Sequence, residues 1–152
     1  MSDELVFLMG KFEARFPTDR SYAENHMWAA TEDGGLRLGF SAYAVRLLQD
    51  VYFLEWFVDP GETVPQGHNI GFIESSKAES DLFAPTAGTI TAFNEELLAD
   101  PSAINVDKYG KGWLFAMEQD KNSNLLLSPE EYMEHLASSW EKAQRTIKGQ
   151  IN

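Results

Sequence analysis

The sequence predicts a mainly β fold: a small body of many short strands, closed as a barrel or a sandwich, with peripheral helices. Three observations carry this. Turn residues recur at short, regular spacing from Glu62 to Phe93, with Gly61, Gly67, Gly71 and Gly88 as punctuation. Between the turns lie apolar, aromatic and β-branched segments of strand length. One long amphipathic repeat stands apart at the C-terminus, beginning at Ser128. Short strands bury their apolar faces by packing as two layers or by closing on themselves.

The elements follow in order. Residues 1–21 form an N-terminal extension. Leu5, Leu8, Met9 and Phe12 fall near helical spacing, with Phe16 one turn on; Phe12, Ala14 and Phe16 also alternate with Lys11, Glu13 and Arg15 at strand period. Helix and strand both stand, and either packs on the body. Residues 22–127 form that body. Met27–Thr31 leads to the tight-turn signal Asp33-Gly34-Gly35 and then Leu36–Phe40. Ser41 is placed to cap a short helix through Ala42, Val45 and Leu48, ending near Gln49. Val51–Val58, aromatic and β-branched, reads as a buried strand ending in the turn Asp59-Pro60-Gly61. Asn94–Leu98 reads as a helical turn stopped before Pro101, and Trp113–Met117 as the last strand.

Residues 128–149 form the C-terminal helix. Ser128 can cap it, Pro129 suits its first position and Glu131 completes a capping box. Tyr132, Leu136, Trp140, Ala143 and Ile147 then repeat every three or four residues as one apolar face. That face is expected to cover the chain's own barrel.

Charge and composition bound the function. There are 12 basic and 24 acidic residues, a net charge of −12. Nucleic-acid binders need a basic footprint, and anionic membranes repel acidic chains. An acidic chain suits docking on basic partner surfaces. Cysteine is absent, which removes disulfides, thiolate zinc sites and cysteine nucleophiles. No apolar run reaches the roughly 18 residues of a membrane-spanning helix. Asp3 and Glu4 precede the apolar run Leu5–Met9, where an export signal wants positive charge. A cytoplasmic protein is expected.

The informative stretch lies between Gly61 and Gly88. Asn69–Glu74 and Ser80–Ala84 read as two strands around Ser75-Ser76-Lys77-Ala78-Glu79. With Ser76 and Lys77 as the loop, 75 pairs with 78, 74 with 79 and 73 with 80, so Lys77 stands at the hairpin tip, pointing away from the body. Type I′ hairpin turns require positive φ at both loop residues and favour Asn-Gly or Asp-Gly. Ser-Lys is a poor choice on propensity, and a disfavoured residue at an exposed tip points to function.

The framework Gly61-x-x-Val64, Gly67, Ile70, Ile73-Glu74, Lys77, Ala84-Pro85 and Gly88 resembles the biotinyl/lipoyl carrier domain. In that domain a lysine at the hairpin tip is covalently modified. Ser76 and Ala78 flank Lys77 as in lipoyl carriers, whereas biotin carriers place methionine on both sides. The run Glu74–Pro85 is similar to the signature of the glycine cleavage H-protein family. Tyr22–Trp28 with His26, Gly39-Phe40-Ser41-x-Tyr43-Ala44, Asn94-Glu95, Asp100-Pro101, Asn105, Tyr109-Gly110 and Gly112-Trp113-Leu114 extend the likeness over about residues 22–135.

The resemblance implies a flattened lipoyl-type β-barrel, the barrel-sandwich hybrid, and lipoate amide-linked to Lys77. It implies a carrier, not an enzyme, whose long dithiolane arm moves an intermediate between partner active sites. Glu74, Ser75, Ser76, Ala78, Glu79 and Asp81 surround the arm as docking residues. Their carboxylates would form either an acidic collar for basic partners, including the lipoate-attaching machinery, or a solvated strand edge.

Several positions depart from the usual H-protein. Ser76 replaces a valine, Glu79 a small residue, and Trp56-Phe57 a Leu-Pro. Gln49 stands where a Leu-Gly-Asp turn is usual. The N-terminal extension and the basic helix end (Lys142, Arg145, Lys148) lie largely outside the pattern. These departures lean toward the lipoate-binding paralogues of bacterial sulfur oxidation, which serve a heterodisulfide-reductase-like complex. The alternative is the glycine cleavage carrier of the aminomethyl group, with glycine decarboxylase, aminomethyltransferase and dihydrolipoamide dehydrogenase as partners. A further alternative is an unmodified interaction module on the same fold.

Other candidates are weaker. His26, His68 and His135 lack metal-ligand spacing. Gly110-Lys111-Gly112 lacks the span and the Ser/Thr of a phosphate loop. Ser75 and Ser76 have no base nearby in sequence.

Overall fold

The computed structural model describes residues 3–123 and 126–151, with side chains described up to residue 144. Met1 and Ser2, and the side chains of Arg145, Ile147 and Lys148, lie outside the described residues.

The N-terminal segment resolves as strand. β1 (Glu4–Met9) and β2 (Phe12–Pro17) pair antiparallel as a hairpin. Period two wins because Ala14 and Phe16 both face a packed interior, fully buried, while Glu13 and Arg15, on either side of Ala14, face water.

The body follows: β3 (Ser21–Tyr22), β4 (Met27–Glu32), β5 (Gly35–Phe40), α1 (Ala42–Leu48), β6 (Val51–Trp56), β7 (Thr63–Val64), β8 (Asn69–Ser75), β9 (Glu79–Phe83) and β10 (Gly88–Phe93). Short helices α2 (Glu96–Ala99) and α3 (Ala103–Val106) lead to β11 (Phe115–Gln119), and α4 (Pro129–Ile151) closes the chain. β3-β4-β5-β11-β10-β7 make a six-stranded sheet and β6-β8-β9 a three-stranded one, antiparallel throughout. Leu38, Ile70, Ile73, Ile90, Leu114, Phe115 and Met117 pack in the main core that these sheets enclose, all inaccessible to solvent. Each such side chain stabilises the fold by about 1.5–3 kcal/mol.

A second apolar cluster lies under the hairpin and α4. Phe16, Tyr22, Tyr132 and Leu136 are fully buried there, with Trp28 and Tyr43 nearly so. Tyr22 stacks on Tyr132, with ring centroids 4.7 Å apart. The apolar face of α4 is thus spent on its own chain, at least through Trp140, which meets Tyr43 edge-on. The capping box forms: Ser128 Oγ accepts the Glu131 N–H at 3.1 Å, and Glu131 Oε1 accepts the Ser128 N–H at 2.9 Å.

Two sequence expectations are corrected. Ser41 precedes α1, but its hydroxyl does not cap the helix; it bonds the Tyr132 hydroxyl at 2.8 Å. The buried serine instead ties α1 to α4, and the Tyr109 hydroxyl accepts the Ala42 N–H at 2.9 Å in its place. β6 is not a buried strand. Val51, Leu54 and Val58 face the core, whereas Tyr52, Phe53 and Phe57 are exposed. The strand lies at the edge of the smaller sheet, and a bulge between Val51 and Phe53 interrupts its alternation.

Candidate functional site

The site is built on the β8–β9 hairpin. Glu74 pairs with Glu79 and Ile73 with Ser80, and the Ser75 N–H reaches the Ala78 carbonyl at 2.8 Å. This is the register read from the sequence, and Ser76-Lys77 is the two-residue loop. The turn type differs from the expectation: neither Ser76 nor Lys77 has positive φ.

Contacts from elsewhere hold the loop instead. The Ser75 hydroxyl donates to the Ala78 carbonyl at 2.9 Å and lies 3.1 Å from the Ala78 N–H. Ser76 N–H donates to the Asp50 carbonyl at 2.9 Å, and Ser76 Oγ accepts the Asp50 N–H at 3.1 Å. Lys77 N–H donates to the Leu48 carbonyl at 3.3 Å, at the end of α1. The loop backbone is therefore clasped to the α1–β6 corner, while the Lys77 side chain is exposed. Among the described residues no carboxylate pairs with its ammonium.

Left-handed backbone sits in that supporting corner. Gln49 has φ 62°, a conformation that suits glycine. Asn105 braces it: the Asn105 side chain donates to the Gln49 carbonyl at 2.6 Å and accepts the Val51 N–H at 3.0 Å. The sequence marks Gln49 as the end of the short helix, where the structure has it as the C-cap of α1, and as a departure from the family pattern, and Asn105 only as part of a resemblance. Their shared role was legible in neither, because the two meet only in the folded chain.

Glu79 and Asp81 are exposed beside the loop, with Glu74 half-buried. A groove of about 410 Å³ opens next to them. Ala44, Leu47 and Leu48 of α1 form one wall, and residues 78–83 the other, above Met27, Phe40 and Ile73. The lining is mostly apolar, with His26 and Asn25 at one side.

His26 is the second surprise. It adopts φ 71° and lies 2.9 Å from the Tyr132 hydroxyl through Nδ1. Its ring stacks on His135, 5.4 Å between centroids, and His135 Nε2 lies 2.9 Å from the Glu24 carbonyl. Burial, helped by repulsion from His135, pushes the His26 imidazole down to about 4, so it is neutral at physiological pH. Burial pushes the Tyr132 phenol up, keeping its hydroxyl protonated. These residues fasten α4 to the groove wall. Among the described residues no cluster of three or more His, Cys, Asp or Glu is placed to hold a metal. The Gly110-Lys111-Gly112 turn is filled by the chain's own Asp107, whose carboxylate accepts the Lys111 N–H at 2.9 Å.

A primary amine stands exposed on a rigid loop beside an apolar groove lined at its rim by carboxylates. This arrangement fits acylation by an apolar arm that can reach out or lie back. Comparison with known proteins narrows it. A sequence model of the family described as glycine cleavage H-protein matches residues 20–139. A glycine cleavage system H protein of Idiomarina loihiensis is 42% identical over 113 residues, 74% of this chain and 87% of that protein. A probable glycine cleavage system H protein of Haloarcula marismortui is 38% identical over 122 residues, covering 79% of this chain and 95% of its own. A crystal structure of a glycine cleavage system H protein from Mycobacterium marinum superposes with a TM-score of 0.71 at 38% identity, covering 80% of this chain and 99% of that one. The mainly β, lipoyl-type barrel with a C-terminal helix is thus the fold of this chain.

Proposed function

This chain belongs to the glycine cleavage H-protein family, and we propose that it serves as the carrier of a glycine cleavage system with lipoate on Lys77. Proteins of this family are carriers, not enzymes, and hold lipoate covalently on a lysine. The observation that carries the assignment to Lys77 is its place at the tip of the clasped loop, exposed and without a carboxylate partner among the described residues.

The residues fit the group. When attached, lipoate supplies a ring disulfide that opens to take a group or two electrons and then closes again. The amide at Lys77 Nζ removes the lysine charge. The Ser75, Ser76 and Asp50 bonds fix the height and direction from which the side chain leaves the body. The groove walls, Ala44, Leu47, Leu48 and Leu82, offer apolar cover that excludes water. Glu74, Glu79 and Asp81 offer basic partners an acidic collar.

The partners of this reading are glycine decarboxylase, aminomethyltransferase, dihydrolipoamide dehydrogenase and the machinery that attaches lipoate. The protein passes the aminomethyl unit between the first two, and a cytoplasmic setting goes with it. The lean toward sulfur oxidation gives way. The relatives described above are named for glycine cleavage, and nothing in them favours a heterodisulfide-reductase-like partner. Departures that prompted that lean have local structural uses: Ser76 clasps Asp50, and Trp56 stacks on Phe93 at 4.6 Å.

Glycine–bicarbonate exchange with purified glycine decarboxylase tests the reading. The lipoylated chain is expected to support exchange, and Lys77→Arg to abolish it. Lipoylated protein that supports none would overturn the glycine cleavage assignment.

A further inference from the structure

The N-terminal hairpin lies outside the family match, which begins at residue 20. Burying Phe16 and Ala14 explains its inner face. Its tip needs a different account. β2 packs along α1, and there the Arg46 guanidinium lies over the Phe12 ring, 4.3 Å from the centroid. Arg46 is exposed, Phe12 is 36% exposed and the neighbouring Leu47 is 41% exposed.

Arg46 has no carboxylate partner among the described residues. Two carboxylates of the hairpin are engaged by its own arginine, and the exposed Asp50 of the same corner forms no ion pair with Arg46. Arg15 takes Glu13 at 2.9 Å and Glu4 at 3.9 Å. Stacking on an aromatic face orients a guanidinium and leaves its in-plane N–H fork free for a carboxylate. The place matters too. Arg46 sits in the last turn of α1, whose Leu48 carbonyl accepts the Lys77 N–H, and Leu47 lines the groove.

We propose that Phe12, Arg46 and Leu47 form an accessory docking ledge beside Lys77 for an acidic side chain, Asp or Glu, on the surface of one partner protein. The inference rests on the carrier reading above. Charge complementarity and continuity with the arm site carry it. The collar of Glu74, Glu79 and Asp81 is acidic, and amide formation cancels the charge of Lys77. Arg46, next to the groove-lining Leu47 but not itself lining the groove, then gives the α1 side a charge of opposite sign. A collar of one sign attracts a basic partner but leaves its rotation about the arm free; a cation on the α1 side sets that rotation.

Deleting the hairpin would expose the second core, so point variants are the test. Lipoylated full-length wild type, Arg46→Glu, Arg46→Lys and Phe12→Ala are titrated separately against glycine decarboxylase, aminomethyltransferase and dihydrolipoamide dehydrogenase. Arg46→Glu is expected to weaken binding to one of the three by about tenfold or more and to spare the others. Arg46→Lys keeps the charge but loses the fork, and is expected to recover part of that loss. Melting temperatures are expected to stay within about 2 °C of wild type for the Arg46 variants. If Arg46→Glu melts lower than that, Arg46→Gln decides instead. Binding within roughly twofold of wild type for all three partners overturns the ledge and leaves the carrier reading standing. Wild type that binds none of them overturns both.

Discussion

Two hairpin loops of the same length are built in opposite ways. Asp33-Gly34 joins β4 to β5, and Ser76-Lys77 joins β8 to β9. In the first, Asp33 has φ 51° and Gly34 φ 80°, the left-handed pair that a type I′ turn needs. Its residues are what the turn requires, so the loop is self-sufficient. In the second, both residues avoid positive φ, and bonds to Leu48 and Asp50 hold the backbone. The left-handed residue is displaced to Gln49, in the corner beneath. A loop that must present a chosen side chain cannot also be made of ideal turn residues. It borrows its rigidity from a neighbour.

That contrast can be broken most strongly at the groove wall, where His26 is a third non-glycine residue with positive φ. Its folded value near 4 lies below the ordinary value of 6.5. The unfolded chain therefore binds a proton that the folded chain refuses between those values. Stability is full above about pH 6.5 and falls as the pH drops toward 4, by at most about 3 kcal/mol. Thermal melts across this window are expected to show a steeper loss for wild type than for His26→Asn, since asparagine tolerates left-handed backbone. Equal slopes would show that His26 is proton-accessible when folded.

Next comes the brace. Asn105→Ala removes both bonds at the Gln49 corner and is expected to cost about 2 kcal/mol. Amide hydrogen exchange at Lys77 should quicken with it, although residue 105 is far away in sequence. Gly34→Ala is the matching cut in the other loop. It strains a φ of 80° in open space and is expected to cost about 1–2 kcal/mol. Exchange at Lys77 should not change, because that turn owes the second loop nothing. Gln49→Gly relieves the corner and is expected to stabilise by up to about 1 kcal/mol. Ser76→Val, the family's usual residue, has the smallest effect, about 0.5–1 kcal/mol for the lost Asp50 bond, read as faster exchange at Asp50.

What the sequence disclosed follows the same division. The Asp33-Gly34 turn, the α4 capping box and the β8–β9 register were legible because each is encoded within a few residues. The Lys77 tip was legible from pattern and resemblance together. The clasp was not, since Asp50 and Ser76 are joined only by folding. The hairpin of residues 4–17 was undecided because its apolar residues satisfy both periods, and only the buried surface of Tyr22, Tyr43 and Tyr132 selects the strand. The stretch Val51–Val58 misled because exposed Tyr52, Phe53 and Phe57 mimic a buried strand. Burial depends on the strand's place in the sheet and on its bulge, which no local segment records.

On the carrier reading the clasped loop exists to present Lys77 as the modified lysine. Peptide mapping with intact-mass analysis of the protein purified from its own cells tests this most directly. A lipoyl-sized increment on Lys77, and on no other lysine, is the expected result. An unmodified Lys77 in active cells, or lipoate on a different lysine, would contradict it and leave the loop a docking feature without carrier chemistry.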